Sequence, residues 1–347
     1  MEINGRKLGR NCKPFIIAEL SANHAGSISI AKKTMLEATK CGVDAIKIQS
    51  YTPDTMTIEC NKPDFQLTSG LWAGSSLYEL YKKAHTPFEW HEELFKYAAE
   101  LGITLFSTPF DETAVDLLEN LNTPAYKIAS FELTDLPLIK YVAQKNKPIL
   151  MSTGMGSLEE IAEALKIIRE YSQNDILLFH CISSYPTPTE QSNLSNIRIL
   201  SKEFGVEVGL SDHTISNLAA TVAVGIGAVA IEKHFKLNET DCGPDSSFSL
   251  TPSQLSTLVK DCNDAWQAKG QDGFFRADVE TENKIFRRSL YFINDLPVGK
   301  VISSNDVKRI RPGYGLAPKY LPEILGKKLT RTVERGDPVT WDCIFSE

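Results

Sequence analysis

Eight short runs rich in β-branched and other apolar residues recur along this chain, at Phe15–Leu20, Ala45–Gln49, Ile103–Ser107, Ala125–Ala129, Pro148–Met151, Ile176–Cys181, Val206–Leu210 and Val229–Phe235. Longer stretches of helical period separate them. In SLEEIAEALKIIREYS, Leu158, Ile161, Ala162, Leu165 and Ile168 recur at three- and four-residue steps, which puts them on one face of a helix. Asp111 and Glu112 open another such stretch, with Val115, Leu118 and Leu121 on its apolar face. Strand–helix alternation repeated eight times over about 250 residues predicts an α/β fold of the (β/α)₈ TIM-barrel type. An open doubly wound sheet has the same alternation, but no GxGxxG turn follows the first run, and eight regular units favour closure.

Two segments depart from this rhythm. Ser50 to about Gly102 form an insertion between the second and third runs, containing GLWAGSSLYELYKKAHTPFEWHEELF. Loops at the C-terminal ends of barrel strands build active sites, so the insertion is expected to shape a substrate pocket; the alternative is a helical excursion packed on the surface. After Lys269-Gly270-Gln271-Asp272-Gly273 the alternation stops, and residues 284–347 read as short strands with turn signals. The expected division is a barrel over 1–270, a linker over 271–283 and a compact β-rich domain over 284–347.

Bulk properties narrow the function class. A formal net charge of −7 argues against a nucleic-acid partner, and 42% hydrophobic with 23% charged residues is ordinary globular composition. The seven cysteines (12, 41, 60, 181, 242, 262 and 343) include no CxxC pair and are expected to be reduced thiols. No apolar segment approaches membrane length and the N-terminal residues lack the core of a signal peptide, so a cytoplasmic protein with no membrane partner is expected.

Ionisable groups at the C-terminal ends of barrel strands are the candidates for chemistry. Lys47 and Gln49 share a face because the strand period is two. Lys47 and Lys127 each interrupt an apolar strand, in AIKIQ and AYKIA, and a buried lysine needs an anionic partner. With the hydroxyls of Ser130, Ser152 and Ser211 they would form a cradle for a phosphate and a carboxylate, the two anionic groups of phosphoenolpyruvate. The alternative for each lysine is a structural ion pair with Glu19 or Glu132. His213 and His234 end neighbouring strands, and two neutral imidazoles suit a divalent transition metal with positions left open. A single strand-end histidine, by contrast, is commonly a hydrogen-bonded structural residue. His180 is either core or remote support, and His85 and His91, in the insertion, read as surface positions.

As a set, IAELSANHAG, IKIQSYTPDT, FSTPFD, YKIASFE, MSTGM, HCISSYPTP, GLSDHT and EKHF, followed by GPDSSFSL, resemble the sialic acid synthase family along essentially the whole chain. The segment with RPGYG resembles the antifreeze-like (SAF, β-clip) domain that these enzymes carry. The insertion, QSYTPDT and PFDETAVDLLENLNTPAYKIASFE resemble the branch that takes a 2,4-diacetamido-2,4,6-trideoxy-altrose; sister branches make N-acetylneuraminic or legionaminic acid.

The resemblance implies a transferase that condenses phosphoenolpyruvate with an acetamido sugar and water. It implies a divalent metal on His213 and His234, usually manganese, with magnesium or cobalt as alternatives. Phosphoenolpyruvate contacts are implied at Lys47, Thr108, Lys127, Ser130, Ser152, Ser183 and Ser211. Ser183 stands where N-acetylneuraminate synthases often have asparagine, which puts that one contact in doubt. Sugar contacts are implied at Glu19, Gln49, Tyr185 and Asp245, and at Arg311 reaching the partner's barrel in a domain-swapped homodimer. Glu19 and Glu132 are the candidate general acid–base groups beside the catalytic lysines Lys47 and Lys127. Rivals of other classes are an aldolase forming a Schiff base through Lys47 or Lys127, and a non-catalytic ice- or glycan-binding protein. The latter needs a flat Thr-rich face, whereas 284–347 is charged, with Arg287, Arg288, Lys308, Arg309 and Arg311.

Overall fold

Both faces of the eight runs are apolar, which suits parallel strands covered on two sides. The computed structural model describes residues 1–241, 243–271 and 273–344, and places these runs in one closed parallel barrel. Its strands are β1 (Phe15–Glu19), β2 (Ala45–Ser50), β3 (Thr104–Pro109), β4 (Tyr126–Ile128), β5 (Ile149–Ser152), β6 (Ile176–Cys181), β7 (Glu207–Asp212) and β8 (Ala230–His234). Each pairs with the next, and β8 pairs with β1 from Ala230↔Phe15 to His234↔Glu19, so no edge is left open. Strand limits match the sequence expectation at both ends of β6 and differ from it by at most two residues elsewhere. A two-strand hairpin, Glu2–Ile3 with Arg6–Lys7, precedes the barrel.

The period of two sorts the strand residues into separate cores. Phe15, Ile17, Ala45, Phe106, Leu150, Leu177, Phe179 and Ala230 cluster inside the barrel, together with Ile3 and Leu8 of the N-terminal hairpin. Their strand neighbours, among them Ile16, Ile46, Ile48, Leu105, Met151, Leu178 and Ile231, pack against the outer helices. Each fully buried side chain of this size contributes about 2 kcal/mol relative to exposure. Parity therefore decides which polar residues enter the barrel: Glu19, Lys47, Lys127, Ser152, Cys181, Ser211, Glu232 and His234 all lie on the inner register.

The helices begin where the sequence supplies acceptors for free N–H groups. Asp111 caps α4 (Glu112–Asn120) by accepting from Thr113 and Ala114. Ser157 and Glu160 form a reciprocal capping box at α6 (Leu158–Tyr171). The remaining outer helices are α1 (Ile28–Lys40), α3 (Phe88–Leu101), α5 (Leu136–Ala143), α7 (Asn196–Phe204), α8 (Leu218–Gly225) and α9 (Pro252–Lys269).

The insertion between β2 and β3 is shorter than expected. Leu94 and Ala98 of α3 join the core beneath the outer helices, so α3 is the barrel's own second helix, and only the residues before it, with α2 (Leu77–Ala84), are additional. His91, expected at the surface, is instead fully buried. Its Nε2 lies 2.7 Å from Ser50 Oγ and its Nδ1 3.1 Å from the Pro87 carbonyl, tying α3 to the end of β2.

The chain divides into two compact units, Met1–Gly270 and Gln271–Glu347. In the second, β9 (Ser289–Phe292) pairs antiparallel with β10 (Val307–Ile310), over a core of Leu290, Phe292, Ile302, Val307, Ile324, Leu329, Val333 and Val339. Gly315 passes so close to β9 that a Cβ there would lie 2.3 Å from the Leu290 carbonyl oxygen. Asp272 of the expected linker and residues 345–347 of the expected β-rich domain lie outside the described residues. Six cysteines are free thiols, and Cys242 lies outside the described residues. Among the described residues no helix is long and apolar enough to cross a membrane.

Candidate active site

Near the C-terminal end of the barrel four charges from four strands meet in the interior. Lys47 Nζ lies 2.9 Å from Glu232 Oε1 and 3.0 Å from Glu19 Oε2; Lys127 Nζ lies 2.7 Å from Glu232 Oε2. The Lys47–Glu19 contact is close but poorly aligned, since Glu19 Oε2 makes no hydrogen bond. Glu232 thus bridges both lysines and also accepts from Ser211 Oγ at 3.2 Å. The expected alternative, in which Glu132 pairs with a lysine, is corrected: Glu132 sits on the turn after β4, outside the strand register, whereas Glu232 faces inward from β8.

Burial and mutual charge set the ionisation of this group. Burial pushes the Glu19 carboxyl up to about 7, against the pull of Lys47 and with the push of Glu232. Burial also opposes charge on Glu232, but Lys127 and Lys47 override it and hold that carboxyl well below its usual range. Lys47 is likewise penalised by burial yet held above its usual value by Glu19 and Glu232. Burial lowers Lys127 to about 8, with Lys47 adding to the fall and Glu232 resisting it. Below about pH 7 the group carries two ammoniums, one carboxylate and one neutral acid. Its net charge is then positive, and an anion is the natural occupant.

Candidate hydroxyls lie at the ends of β3 and β5 and on the turns after β4 and β6. Ser152 and Thr108 are buried on β5 and β3, and Thr108 Oγ1 has no hydrogen-bond partner. Ser130 Oγ accepts from the Gly154 N–H at 3.1 Å. A Cβ at Gly154 would lie 2.3 Å from Ser183 Oγ and 2.7 Å from Ser130 Oγ, so only glycine lets the β5 loop close on both hydroxyls. Cys181 Sγ lies 4.0 Å from Ser183 Oγ and 3.9 Å from His213 Nδ1. Burial opposes its ionisation, but His213, Ser130 and Lys127 bring the thiol down to about 7.

The two histidines expected to hold a metal do approach each other, with ring centroids 5.4 Å apart. His213 Nδ1 lies 2.9 Å from the Ile182 carbonyl, a partner that in the neutral ring keeps the proton on Nδ1 and leaves Nε2 a lone pair. His234 is buried, its Nδ1 lacks a hydrogen-bond partner, and the nearest carboxylate oxygen, Asp245 Oδ2, is 3.8 Å away. Burial, His213 and Lys47 all push His234 toward the neutral form a metal ligand requires. Among the described residues no group of three or more His, Cys, Asp or Glu side chains forms a full cage. Burial opposes charge on His213, but Cys181 and the Ile182 carbonyl hold its pKa above the ordinary value, so a metal there would displace its proton. With that proton gone, the two imidazoles and the orphaned nitrogen of His234 fit a partial coordination sphere that water or substrate completes.

A polar and aromatic rim lies above. Gln49 Nε2 donates to Glu19 Oε1 at 3.2 Å, and Asp245 Oδ2 accepts from Ser21 Oγ at 2.5 Å. The Tyr185 ring stands 4.3 Å from that of His213. Burial pushes the Glu132 carboxyl up to about 7, and its Oε2 has no partner. Arg311 is exposed on the second unit.

The NeuB family profile matches residues 34–273, and a SAF domain profile matches 287–344. The chain belongs to the NeuB family. It is 44% identical over 326 residues to a pseudaminic acid synthase of Campylobacter jejuni, covering 94% of this chain and 95% of that one. It is 41% identical over 333 residues to the pseudaminic acid synthase of Helicobacter pylori, covering 95% and 98%. Among solved structures it resembles N-acetylneuraminic acid synthetase of Leptospira borgpetersenii, with a TM-score of 0.74, 29% identity and coverage of 82% and 94%.

Residue parity accounts for what the sequence reasoning missed. Glu232 and Cys181 share inward register with His234 and Phe179, a signal of the same kind that grouped Lys47 with Gln49. His180 falls on the outer register, where its Nε2 lies 2.7 Å from the Ser192 carbonyl, so it is structural. Phe248 and Trp72 enter the site from loops, and no periodicity marks them.

Proposed function

We propose that this NeuB-family chain is a pseudaminic acid synthase. It joins phosphoenolpyruvate to 2,4-diacetamido-2,4,6-trideoxy-altrose with water, releasing pseudaminic acid and phosphate. The observation that carries the reading is the buried lysine pair bridged by Glu232 beside the facing imidazoles of His213 and His234. A cation cluster of this kind is costly to bury unless an anion completes it.

In this reading Lys47 and Lys127 hold the phosphate and carboxylate of phosphoenolpyruvate, aided by Thr108, Ser130, Ser152, Ser183 and Ser211. Glu19, Gln49, Tyr185 and Asp245 hold the open-chain sugar. His213 and His234 hold a divalent ion, manganese in preference to magnesium or cobalt, which when bound supplies Lewis acidity at the sugar aldehyde. The enol carbon of phosphoenolpyruvate forms a bond to the aldehyde carbon, whose oxygen takes up a proton. Positive charge then develops at the carbon that bears the phosphate oxygen, where the Glu232 carboxylate stands ready to stabilise it. Water adds there and gives up one proton; the hydroxyl so formed then passes its remaining proton to the leaving phosphate as the C–O bond breaks, which leaves the 2-keto acid. Glu132 and Glu19, both with carboxyls near 7, are suited to carry these protons. Two reactants held side by side gain several kcal/mol in orientation.

The same reading assigns Arg311 to the sugar site of the partner in a domain-swapped homodimer, and places the protein in the cytoplasm. The deciding experiment follows phosphate release from phosphoenolpyruvate with a panel of acetamido sugars, with and without chelator. A marked preference for the altrose derivative over the other sugars, with turnover abolished by chelator and restored by manganese, is expected. Turnover of N-acetylmannosamine alone, or a borohydride-trapped imine with pyruvate, would overturn it.

A further inference from the structure

The condensation chemistry leaves one conspicuous feature without a task, the loop of residues 67–75. An isolated bridge between Gln66 and Ser76 closes its base. Leu67 N–H donates to the Ser75 carbonyl at 2.9 Å, and Gly74 N–H to the Leu67 carbonyl at 2.8 Å. The loop carries Trp72, whose indole N–H donates to the Pro244 carbonyl at 3.0 Å. That bond joins the insertion after β2 to the segment after β8, one residue before Asp245.

The indole also extends an aromatic wall. Its ring centroid is 5.7 Å from Tyr185, which is 5.2 Å from Phe248, which in turn is 4.8 Å from His234. Glu19 and Gln49 present hydrogen-bonding groups at the ends of β1 and β2, whereas the wall offers only ring faces and edges apart from the Tyr185 hydroxyl. Ring surfaces favour C–H and methyl groups, and a hydroxyl packed there without a partner pays for its lost water. The lysine cluster draws on β2 and β4, and none of its contacts involves the loop.

We infer that Trp72 is a specificity determinant. It selects the sugar aldehyde by its apolar edge, favouring a deoxygenated, acetamido-bearing sugar over a polyhydroxylated one, and does not bind phosphoenolpyruvate. The inference rests on the proposed reaction and adds to it the residue that reads the sugar.

The test measures kcat and KM for wild type, Trp72→Ala, Trp72→Leu and Trp72→Phe with the diacetamido-trideoxy-altrose and with N-acetylmannosamine. For Trp72→Ala and Trp72→Leu, KM for the altrose is expected to rise about tenfold or more, the scale on which apolar pockets discriminate. The preference over N-acetylmannosamine should shrink with it, while KM for phosphoenolpyruvate stays within about twofold. Trp72→Phe keeps a ring without the N–H donor and is expected to retain most of the preference. An unchanged preference in Trp72→Ala and Trp72→Leu overturns the inference. So does a parallel rise of both KM values, because a loop that merely supports the fold would produce it. If wild type turns over only N-acetylmannosamine, the proposed function falls by that result alone. That result overturns the Trp72 inference as well, because wild type would then favour the polyhydroxylated sugar; an altrose preference left intact in Trp72→Ala and Trp72→Leu overturns the inference alone.

Discussion

The ammonium of Lys233 lies 2.6 Å from Oδ2 of Asp212, on the outer face of the barrel where both are buried. The two residues are register partners on β7 and β8, and each directly precedes one of the facing histidines. Lys233 also donates to the Thr214 carbonyl at 2.5 Å and to the Ser216 carbonyl at 3.0 Å, so one side chain secures the turn that follows His213. Removing one partner of a buried pair costs about 3–5 kcal/mol. Lys233→Met is therefore expected to lower the midpoint of denaturant unfolding substantially and to weaken manganese binding measured by calorimetry. The double variant Lys233→Met with Asp212→Leu should recover only part of the stability, because the Thr214 carbonyl loses Lys233 and the Thr214 N–H loses Asp212 Oδ1. Full recovery would show that the turn does not depend on this lysine.

The lysine cluster makes phosphoenolpyruvate affinity depend on pH. Lys127 loses its proton near pH 8 because burial and Lys47 both disfavour its charge. In the profile of kcat/KM for phosphoenolpyruvate, activity should fall as pH passes about 8. Glu232 resists that loss, so Glu232→Gln should move the limb to lower pH as well as reduce kcat/KM by about a hundredfold or more. A limb that stays in place in Glu232→Gln would detach it from Lys127.

Glu132 is expected to leave a mark on stability. Its folded carboxyl titrates near 7, above the ordinary value of 4.5, because burial disfavours the anion. The folded state thus holds a proton that the unfolded chain releases first. The stability from this acid is fully present below pH 4.5 and is lost as pH rises toward 7. Glu132→Gln removes the dependence. Relative to it, wild type should lose stability between pH 4.5 and 7, as read from urea unfolding at fixed temperature. Parallel stability curves across that window would contradict the burial argument.

Gly154 tests the hydroxyl cradle separately. A methyl group there meets Ser183 Oγ and Ser130 Oγ well inside contact distance, so one hydroxyl must move. Gly154→Ala is expected to raise KM for phosphoenolpyruvate by about tenfold, the cost of one displaced hydrogen-bonding group, with little change in KM for the sugar. Initial-rate kinetics with each substrate varied in turn would show the split, and a selective effect on the sugar would contradict it.

Local sequence chemistry was enough to foresee the eight strands, the capped helices and the positions of Lys47, Lys127, His213 and His234, because periodicity and strand-end placement are properties of neighbouring residues. Barrel closure then placed those four residues near one another. What neighbours cannot encode is which distant charge meets which. Glu232 rather than Glu132 neutralises Lys127, because the pairing follows from the curvature that brings β8 across the interior toward β4. In the same way, α3 belongs to the barrel because its Leu94 and Ala98 find the core, and His91 is buried because Ser50 lies beneath it. The contact of Trp72 with Pro244 joins residues far apart in the chain through two loops without regular period, and only the closed barrel brings their anchors together.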